Sequence, residues 1–486
     1  MTTRTLIEAG PGSGKTTTLI HSHNYVLSGQ LPGYQPTPEQ YIIMETIRQR
    51  IPKIHAAQAV FACMTDAGKQ DLISKIPSDT KCFTYNGLGA SLLQRRHRFQ
   101  KLDHKRGEKL LEAVLGERLE DMEWKRRRVY YTALRYVKHL KEELLTPSES
   151  SFDFVQAKYG IEAPPPEDTG AMQQLMERMM IVDGSVEWID QYWLAVQSIQ
   201  SPTYTVGYVD ECQDLSPLKL LLMLKSCEHL IFCGDPYQAI NGFAGADYRA
   251  FDRLSSMCPP ALPLKTCFRC PPNHVEHANT IRPARIVAKK TEAIPDISLQ
   301  INDLGAYITE NVGNPKENLL IARLNNILLR VGIKLMKQGV ACHLLQRTND
   351  RSLEVVLTDY IKQTRATTLS QLLSIATADS DNASKLGFQA GSFVKERSDC
   401  IIELSEGCKT IPQLLNNLYS LTKDAPGSVA LSTIHKSKGL EAERVYILYP
   451  PVQLQPDNQE QVEQEINLEF VSETRSKHQK IYVSAG

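Results

Sequence analysis

The stretch Ala9-Gly-Pro-Gly-Ser-Gly-Lys-Thr-Thr17 constrains this chain more than any other. It follows the apolar run around Leu6 and Ile7 and precedes a segment that reads as a helix from Lys15. A glycine-rich turn therefore joins a strand to a helix. Glycines at 10, 12 and 14 let backbone N–H groups turn inward onto a polyphosphate, Lys15 supplies a point charge at the β- and γ-phosphates, and the Thr16 hydroxyl can hold Mg²⁺. A turn that binds nothing has no use for a lysine and two threonines placed directly after spaced glycines. The stretch is a candidate nucleotide site lined by Ala9, Gly10, Pro11, Gly12, Ser13, Gly14, Lys15, Thr16 and Thr17.

Such a loop needs a parallel α/β sheet behind it, and the chain is long enough for more than one. At 486 residues it exceeds a single core, since a domain takes about 150 residues. Its 55 basic and 55 acidic residues cancel, so a nucleic-acid surface has to come from local clusters. Eleven scattered cysteines in so long a chain read as reduced thiols. No apolar stretch approaches a membrane span and residues 1–8 lack the apolar core of a signal peptide, so a cytoplasmic chain without a membrane partner is expected.

Strand-like runs at 59–64 and 81–85 flank a helical run at 66–76, the alternation of a parallel sheet. From 94 to 141 the character shifts to long helices dense in Arg and Lys, including Arg95-Arg96-His97-Arg98 and Lys125-Arg126-Arg127-Arg128. These helices could touch duplex phosphates or form an ordinary solvated face. A helix is expected near 188–198, and strands return at 205–209 and 229–233. Cys258-Pro-Pro-Ala-Leu-Pro263 reads as a hinge. Beyond it, strand signals at 319–322, 341–345, 429–432, 444–448 and 480–483 are interrupted by a polar helical stretch from 351 to 423. The expected domains are 1–93 with 200–258, carrying a helical insertion at 94–199, and 259–350 with 426–486, carrying a short helical insertion at 351–425.

Tyr204-Thr-Val-Gly-Tyr-Val-Asp-Glu-Cys-Gln-Asp214 puts two acids after an apolar strand. Asp210 would hold the metal through water, and Glu211 would polarise the attacking water beside the γ-phosphate. Cys267, Cys270, His274 and His277 bring metal-ligand types together, but their spacing lacks the long finger between ligand pairs.

Further segments then fall into a known order. Cys63-Met-Thr-Asp-Ala-Gly-Lys, Thr84-Tyr-Asn-Gly-Leu-Gly, Gly234-Asp-Pro-Tyr-Gln-Ala-Ile-Asn-Gly-Phe-Ala-Gly-Ala246, Leu264-Lys-Thr-Cys-Phe-Arg269, Leu431-Ser-Thr-Ile-His-Lys-Ser-Lys-Gly-Leu-Glu441 and Leu468-Glu-Phe-Val-Ser-Glu-Thr-Arg475 resemble motifs Ia, Ib, III, IV, V and VI of the UvrD/Rep-like superfamily 1 DNA helicases. With the phosphate loop and the acidic pair, the resemblance spans residues 9–475. It implies an α/β fold of two RecA-like P-loop NTPase domains, each with a mainly helical insertion. It implies ATP and Mg²⁺ as cofactors, and single-stranded DNA and single/double-strand junctions as partners, with repair or replication as the setting.

Residue by residue, the resemblance assigns Arg269 and Arg475 to the γ-phosphate, Gln238 to its sensing, Glu441 to the ribose and Phe268 to stacking on adenine. It assigns Thr65, Tyr85, Asn86, Phe243, Thr433 and His435 to nucleic acid, while the apolar neighbours of Phe243 and Tyr85 leave a place in the core as the alternative for those two. The sequence departs from the pattern in three places. The family's adenine-reading glutamine precedes the phosphate loop, where this chain has only residues 1–8, and Gln40 is a substitute on residue type alone. Asn241 and Ala244 stand where an aromatic and an arginine are usual, and Ile466 and Asn467 where arginines are common. The chain stops soon after Arg475, so no nuclease or partner-binding tail is expected. An ATP-driven 3′ to 5′ helicase is the implied function. A translocase that does not unwind and a nucleotide-gated DNA-binding subunit of a repair or defence complex, bound to protein partners, are the rivals.

Overall fold

The computed structural model describes residues 2–95, 101–159, 169–181, 184–240, 242, 249–311, 317–345, 352–383, 388–423, 428–449 and 459–484. The chain divides into two units, Met1–Thr266 and Cys267–Gly486.

The first unit opens with β1 (Arg4–Ala9), α1 (Lys15–Ser28), α2 (Pro38–Arg50), β2 (Ala59–Cys63), α3 (Asp66–Ile73), β3 (Lys81–Thr84) and α4 (Tyr85–Gln94). A mostly helical excursion follows: β4 (Lys101–Leu102), α5 (Arg106–Leu115), α6 (Trp124–Glu143), α7 (Glu149–Tyr159), α8 (Thr169–Met179), β5 (Ser185–Val186) and α9 (Asp190–Ser198). The chain then returns through β6 (Tyr204–Val209), α10 (Pro217–Ser226), β7 (Cys227–Gly234), α11 (Ala250–Met257) and β8 (Leu262–Leu264). The sheet has six strands in the order β3-β2-β6-β7-β1-β8. Every neighbour pair in it is parallel. β2 is buried along its whole length, as a parallel strand covered on both faces must be. Because all strands run one way, the loops after them share one edge, where open α/β sheets place ligands.

Local sequence sets the elements beside that edge. α2 starts at a capping box, with the Thr37 hydroxyl accepting from Gln40 N, the Gln40 carboxamide accepting from Thr37 N, and Pro38 in the first turn. In the excursion, α5, α6 and α9 are pinned by a buried charge triad. Asp190 accepts from Arg106 Nη1 at 2.9 Å and from Lys141 Nζ at 2.6 Å, with all three side chains almost wholly buried. Such charges persist in an interior only when paired and hydrogen-bonded, and removing one partner costs about 3 to 5 kcal/mol. The basic character of residues 94–141 is therefore partly internal, and Arg106 and Lys141 are not available to phosphates.

Two local expectations change. α9 begins at Asp190, so Trp188 lies in the preceding loop. The Pro-rich run is no free hinge, because β8 adds to the sheet edge beside β1 with Leu264 fully buried. Pro263, which has no N–H, is tolerated on that edge strand, and the chain stays in the first unit through Thr266.

The second unit continues from β9 (Thr266–Cys267), within which the division falls, to α12 (Pro272–Ile281), β10 (Val287–Ala288), β11 (Ile297–Gln300), α13 (Leu304–Asn311), β12 (Asn318–Ala322), α14 (Asn325–Lys337) and β13 (Cys342–Leu344). Four helices follow, α15 (Leu353–Thr364), α16 (Leu369–Asn382), α17 (Phe388–Leu404) and α18 (Ile411–Thr422). The chain closes with β14 (Val429–Thr433), α19 (Ile434–Ser437), β15 (Ala442–Tyr449), α20 (Gln459–Glu473) and β16 (Ser476–Ser484). Its sheet also has six strands, ordered β11-β16-β15-β12-β14-β13, again all parallel. Leu357, Leu372, Leu404 and Leu414 from the four helices share one core with Leu431 and Ile481 from the strands. The polar helical stretch thus gives its apolar face to this unit's own interior. Among the described residues no helix is long and apolar enough to cross a membrane.

Candidate nucleotide and nucleic-acid sites

The loop after β1 is built as the glycines require. Gly12 and Gly14 take φ of 64° and 79°, the left-handed region that side chains disfavour. Gly14 caps α1 without a side-chain hydrogen bond, so the first amides of the helix remain oriented for a ligand. Ser13 Oγ donates to Gly10 O at 2.8 Å and fixes the turn. Ala9, Gly10, Pro11 and Ser13 are buried, whereas Thr17 is exposed.

The acids arrive from the neighbouring loops. Lys15 Nζ lies 3.8 Å from Glu211 Oε1. Burial works against the Lys15 charge, but the carboxylates of Glu211, Asp235 and Asp210 outweigh it and raise its pKa. Thr16 Oγ1 donates to Asp210 Oδ2 in a short contact. Burial first, and then the neighbouring Glu211, push the Asp210 carboxyl up to about 6. A hydroxyl and a crowded carboxylate side by side are hard oxygen donors of the kind Mg²⁺ takes, so the donor set fits that ion. Glu211 sits at φ 54°, with its amide held by Asp210 Oδ1 at 2.9 Å.

The sequence reading gave Gln213 and Asp235 no role, yet they tie the arrangement together. Gln213 Nε2 donates to Glu211 Oε2 at 2.5 Å and Gln213 Oε1 accepts from Asp235 N at 3.0 Å. Asp235 in turn accepts from Gln238 Nε2 at 2.7 Å. The bridge needs Gly234, because a Cβ there would strike Gln213 Oε1 and lie 2.6 Å from Cys212 Sγ. The signal for Gln213 was present in the quoted acidic segment, but nothing in spacing shows that its carboxamide spans two loops. The phosphate loop, Asp210, Glu211 and Gln238 thus meet at one edge of the first sheet.

Gln40 is placed beside the loop as well. Its Nε2 donates to Thr18 Oγ1 at 3.2 Å and lies 3.5 Å from where a Gly14 Cβ would stand. One carboxamide hydrogen and one oxygen lone pair remain beyond its bonds to Thr18 and Thr37.

The candidate nucleic-acid residues divide. Thr65 is exposed at the start of α3, where its hydroxyl accepts from Gly68 N at 3.1 Å. Tyr85 is corrected: it is 2 % exposed and packed in the first unit's core, so its ring cannot stack on a base from there. Asn86 uses its side chain to hold the Trp188 carbonyl, Nδ2 to O at 2.8 Å. Trp188 itself is 53 % exposed, with the His104 ring 5.9 Å away. The sequence reading took this tryptophan as helical and missed it. An aromatic just outside a helix start was the available signal. Phe243 lies outside the described residues, as do Asn241 and Ala244.

In the second unit Thr433 caps α19, its hydroxyl accepting from Lys436 N at 3.3 Å, and His435 follows in that helix. Phe268 is 41 % exposed. Arg269 donates from Nε to Glu441 Oε2 at 2.7 Å and from Nη1 to Thr474 O at 3.0 Å. Burial would raise the Glu441 carboxyl, but Lys477 and Arg269 prevail and hold it below the usual range. Arg475 is 1 % exposed, and its guanidinium donates to Val471 O, Leu440 O and Thr474 Oγ1 at 2.9, 3.3 and 3.2 Å. Arg269, Glu441 and Arg475 therefore converge around Thr474. Ile466 and Asn467 lie on α20. Cys267, Cys270, His274 and His277 do not converge, since Cys267 Sγ accepts from Cys270 N while His274 and His277 face Asp296 and Glu473.

A glycine-rich loop between strand and helix, a lysine facing two carboxylates, and a threonine hydroxyl beside one of them define a phosphate-loop nucleotide hydrolase on a parallel sheet. Residues 39–259 match the family of the UvrD/REP helicase N-terminal domain. This match supports a UvrD/Rep-like helicase, of a family of ATP-dependent, DNA-binding hydrolases. No curated protein matches it.

Proposed function

We propose that the chain is a motor that translocates on single-stranded DNA and unwinds duplex ahead of it, with ATP hydrolysis assisted by Mg²⁺ at Thr16 and Asp210. The observation that supports this most is the meeting of Lys15, Asp210, Glu211 and Gln238 on one sheet edge, which is the set hydrolysis needs. Glu211 takes a proton from the attacking water, Lys15 and the loop amides hold the phosphates, and Mg²⁺, which Thr16 and Asp210 would hold, would supply positive charge against the charge that develops in the reaction. Gln40 offers its spare donor and acceptor to the adenine edge. The 3′ to 5′ direction, and the roles of Arg269 and Arg475 at the γ-phosphate, rest on the family resemblance. Both arginines must first leave the contacts described above.

On the DNA side, Asn86 positions and Trp188 stacks. Opening a base step costs only about 1.4 kcal/mol, so a one-way walker can trap a fraying fork. The test is ATP hydrolysis by the full chain with and without single-stranded DNA, followed by strand separation on duplexes tailed at either end. Strong stimulation that falls by about 10² to 10⁴ in Glu211→Gln supports the motor. Stimulation without strand separation would leave a translocase. No hydrolysis in either condition would reject a stand-alone motor in favour of a subunit that needs a partner.

A further inference from the structure

The two oxygens of the Glu211 carboxylate face different neighbours. Glu211 follows β6 with its backbone at φ 54°, a region that side chains rarely adopt and that persists only where the surroundings over-determine it. The chain then turns through Cys212–Asp214, with Asp214 N donating to Glu211 O at 3.0 Å, and this turn places Gln213 beside the acid. Gln213 is 1 % exposed, and its Nε2 donates to Glu211 Oε2 at 2.5 Å. Glu211 Oε1 instead lies 3.8 Å from Lys15 Nζ, the charge suited to the phosphates. At its other end Gln213 accepts from Asp235 N at 3.0 Å, in the loop after β7. Asp235 in turn holds the Gln238 carboxamide through Oδ2 and the Tyr237 amide through Oδ1, at 2.7 and 3.0 Å. An ionised carboxylate only accepts and a backbone N–H only donates, so the buried carboxamide fits one way round and cannot turn without losing both bonds.

We propose that Gln213 is a positioning residue for hydrolysis: its carboxamide anchors one oxygen of Glu211, aims the other at the attacking water, and ties this base to the loop that carries Gln238. The proposal rests on Glu211 as the base, and every residue in it belongs to the first unit. The bond to Glu211 is charge-assisted, roughly twice as strong as a neutral one. A displacement of about 1 Å in a catalytic group lowers turnover by roughly 10²-fold, and without Gln213 the acid loses the partner that fixes its Oε2. The task needs a donor at one end, an acceptor at the other and this length between them. Glutamate lacks the donor, asparagine is one methylene short, and a Cβ at position 234 would occupy the place of Gln213 Oε1.

The experiment compares DNA-stimulated ATP hydrolysis by the intact chain and its Gln213→Met, Gln213→Glu, Glu211→Gln and Gln213→Met/Glu211→Gln variants. Gln213→Met keeps the length and removes both bonds, and is expected to lower kcat by about 10- to 100-fold with KM for ATP little changed. Gln213→Glu keeps the acceptor for Asp235 N but sets a like charge against Glu211, so it should not recover the rate. Full recovery there would reduce the bridge to a tie between two loops and overturn the proposal. The double variant should be no slower than Glu211→Gln alone, because a residue that acts through another adds nothing once that other is gone. Equal losses from Gln213→Met in the two backgrounds would overturn the proposal, as would an unchanged kcat or a rise in KM alone. An unchanged kcat in Glu211→Gln would instead reject Glu211 as the base, and the positioning role with it. Should Gln213→Met fail to fold, Gln213→Asn keeps a carboxamide too short to span both loops and is read in the same cycle.

Discussion

The two six-stranded parallel sheets are used from different edges. In the first unit the phosphate loop follows β1, Asp210 and Glu211 follow β6, and Asp235 with Gln238 follows β7. In the second unit Glu441 precedes β15 and Arg475 precedes β16, where Ala442 pairs with Ser476 and Ala442 N donates to Arg475 O at 3.3 Å. Strand ends that point carbonyls outward leave loops free to turn amides toward an anion, which suits phosphate. The opposite edge offers side chains on short connections, which suits a guanidinium. Under the proposed roles the same scaffold carries an anion cradle in one unit and cations in the other. The cations are spent internally in this state, since Arg475 is turned onto its own unit's carbonyls and Arg269 onto Glu441.

The sharpest way to break that comparison is to ask whether the buried cation acts in the reaction at all. Arginine fingers contribute about 10³ to 10⁵ in rate. Arg475→Lys keeps the charge and most of the volume but loses the fork that spans several acceptors. If Arg475 acts on the phosphate, kcat should fall by about 10³-fold or more, whatever the change in melting temperature. If it serves only to hold α20 against the start of β15, the melting temperature should drop and kcat stay within a few-fold. Steady-state hydrolysis and a thermal melt on the same preparation separate the two.

A second contrast lies in what the helical excursions do. Both excursions bury leucines in their own unit's core, and each leaves aromatics outside, Phe393 and Tyr419 in the second unit and Trp188 in the first, but only the Trp188 backbone is held by a residue of motif Ib, Asn86 in the first turn of α4. Base stacking on an aromatic ring is worth about 1 to 3 kcal/mol. Trp188→Ala should therefore weaken single-stranded DNA binding by about 5- to 150-fold, while Trp188→Phe retains most of it. Anisotropy with a labelled oligonucleotide measures both. Equal affinity in all three proteins would remove Trp188 from the nucleic-acid surface.

Much of this was legible because phosphate chemistry is local in sequence. Ala9 to Thr17 needs only its own glycines, Lys15 and Thr16, and Asp210 and Glu211 need only to follow a strand. What could not be read depends on long-range placement. Tyr85 and Trp188 each have polar and apolar neighbours in sequence, which left Tyr85 open between core and nucleic acid, yet the first is buried and the second exposed. α4 turns Tyr85 inward, and α9 starts too late to include Trp188. The Gln213 bridge depends on Gly234 having no Cβ, and the Glu39 carboxylate accepts from the Lys265 and Thr266 amides, more than two hundred positions away. Residue type marked Gln40, but only its contact with Thr18 places it beside the loop.

The smallest predicted effect tests whether the units respond alike to acid. The His23 imidazole is fully buried against Phe61 and Tyr208, bonded to Thr80 Oγ1 at 2.8 Å, and held by burial at about 4. Burial likewise holds His139, stacked on Tyr159, at about 4. An unfolded chain takes up these protons below about 6.5, whereas the folded first unit does so only near 4, so the unfolded state binds more protons in between. Stability is therefore full above pH 6.5 and is lost as pH falls toward 4, by roughly 2 kcal/mol per imidazole at pH 5. Hydrogen exchange on the intact chain, corrected for intrinsic rates, should show peptides of β2 and β6 losing protection between pH 7 and pH 5. His23→Gln, if it folds, should flatten that loss. Peptides of β12 and β15 report on the second unit under the same conditions, and an equal loss there would mean that acid acts on something common to both sheets rather than on the buried imidazoles.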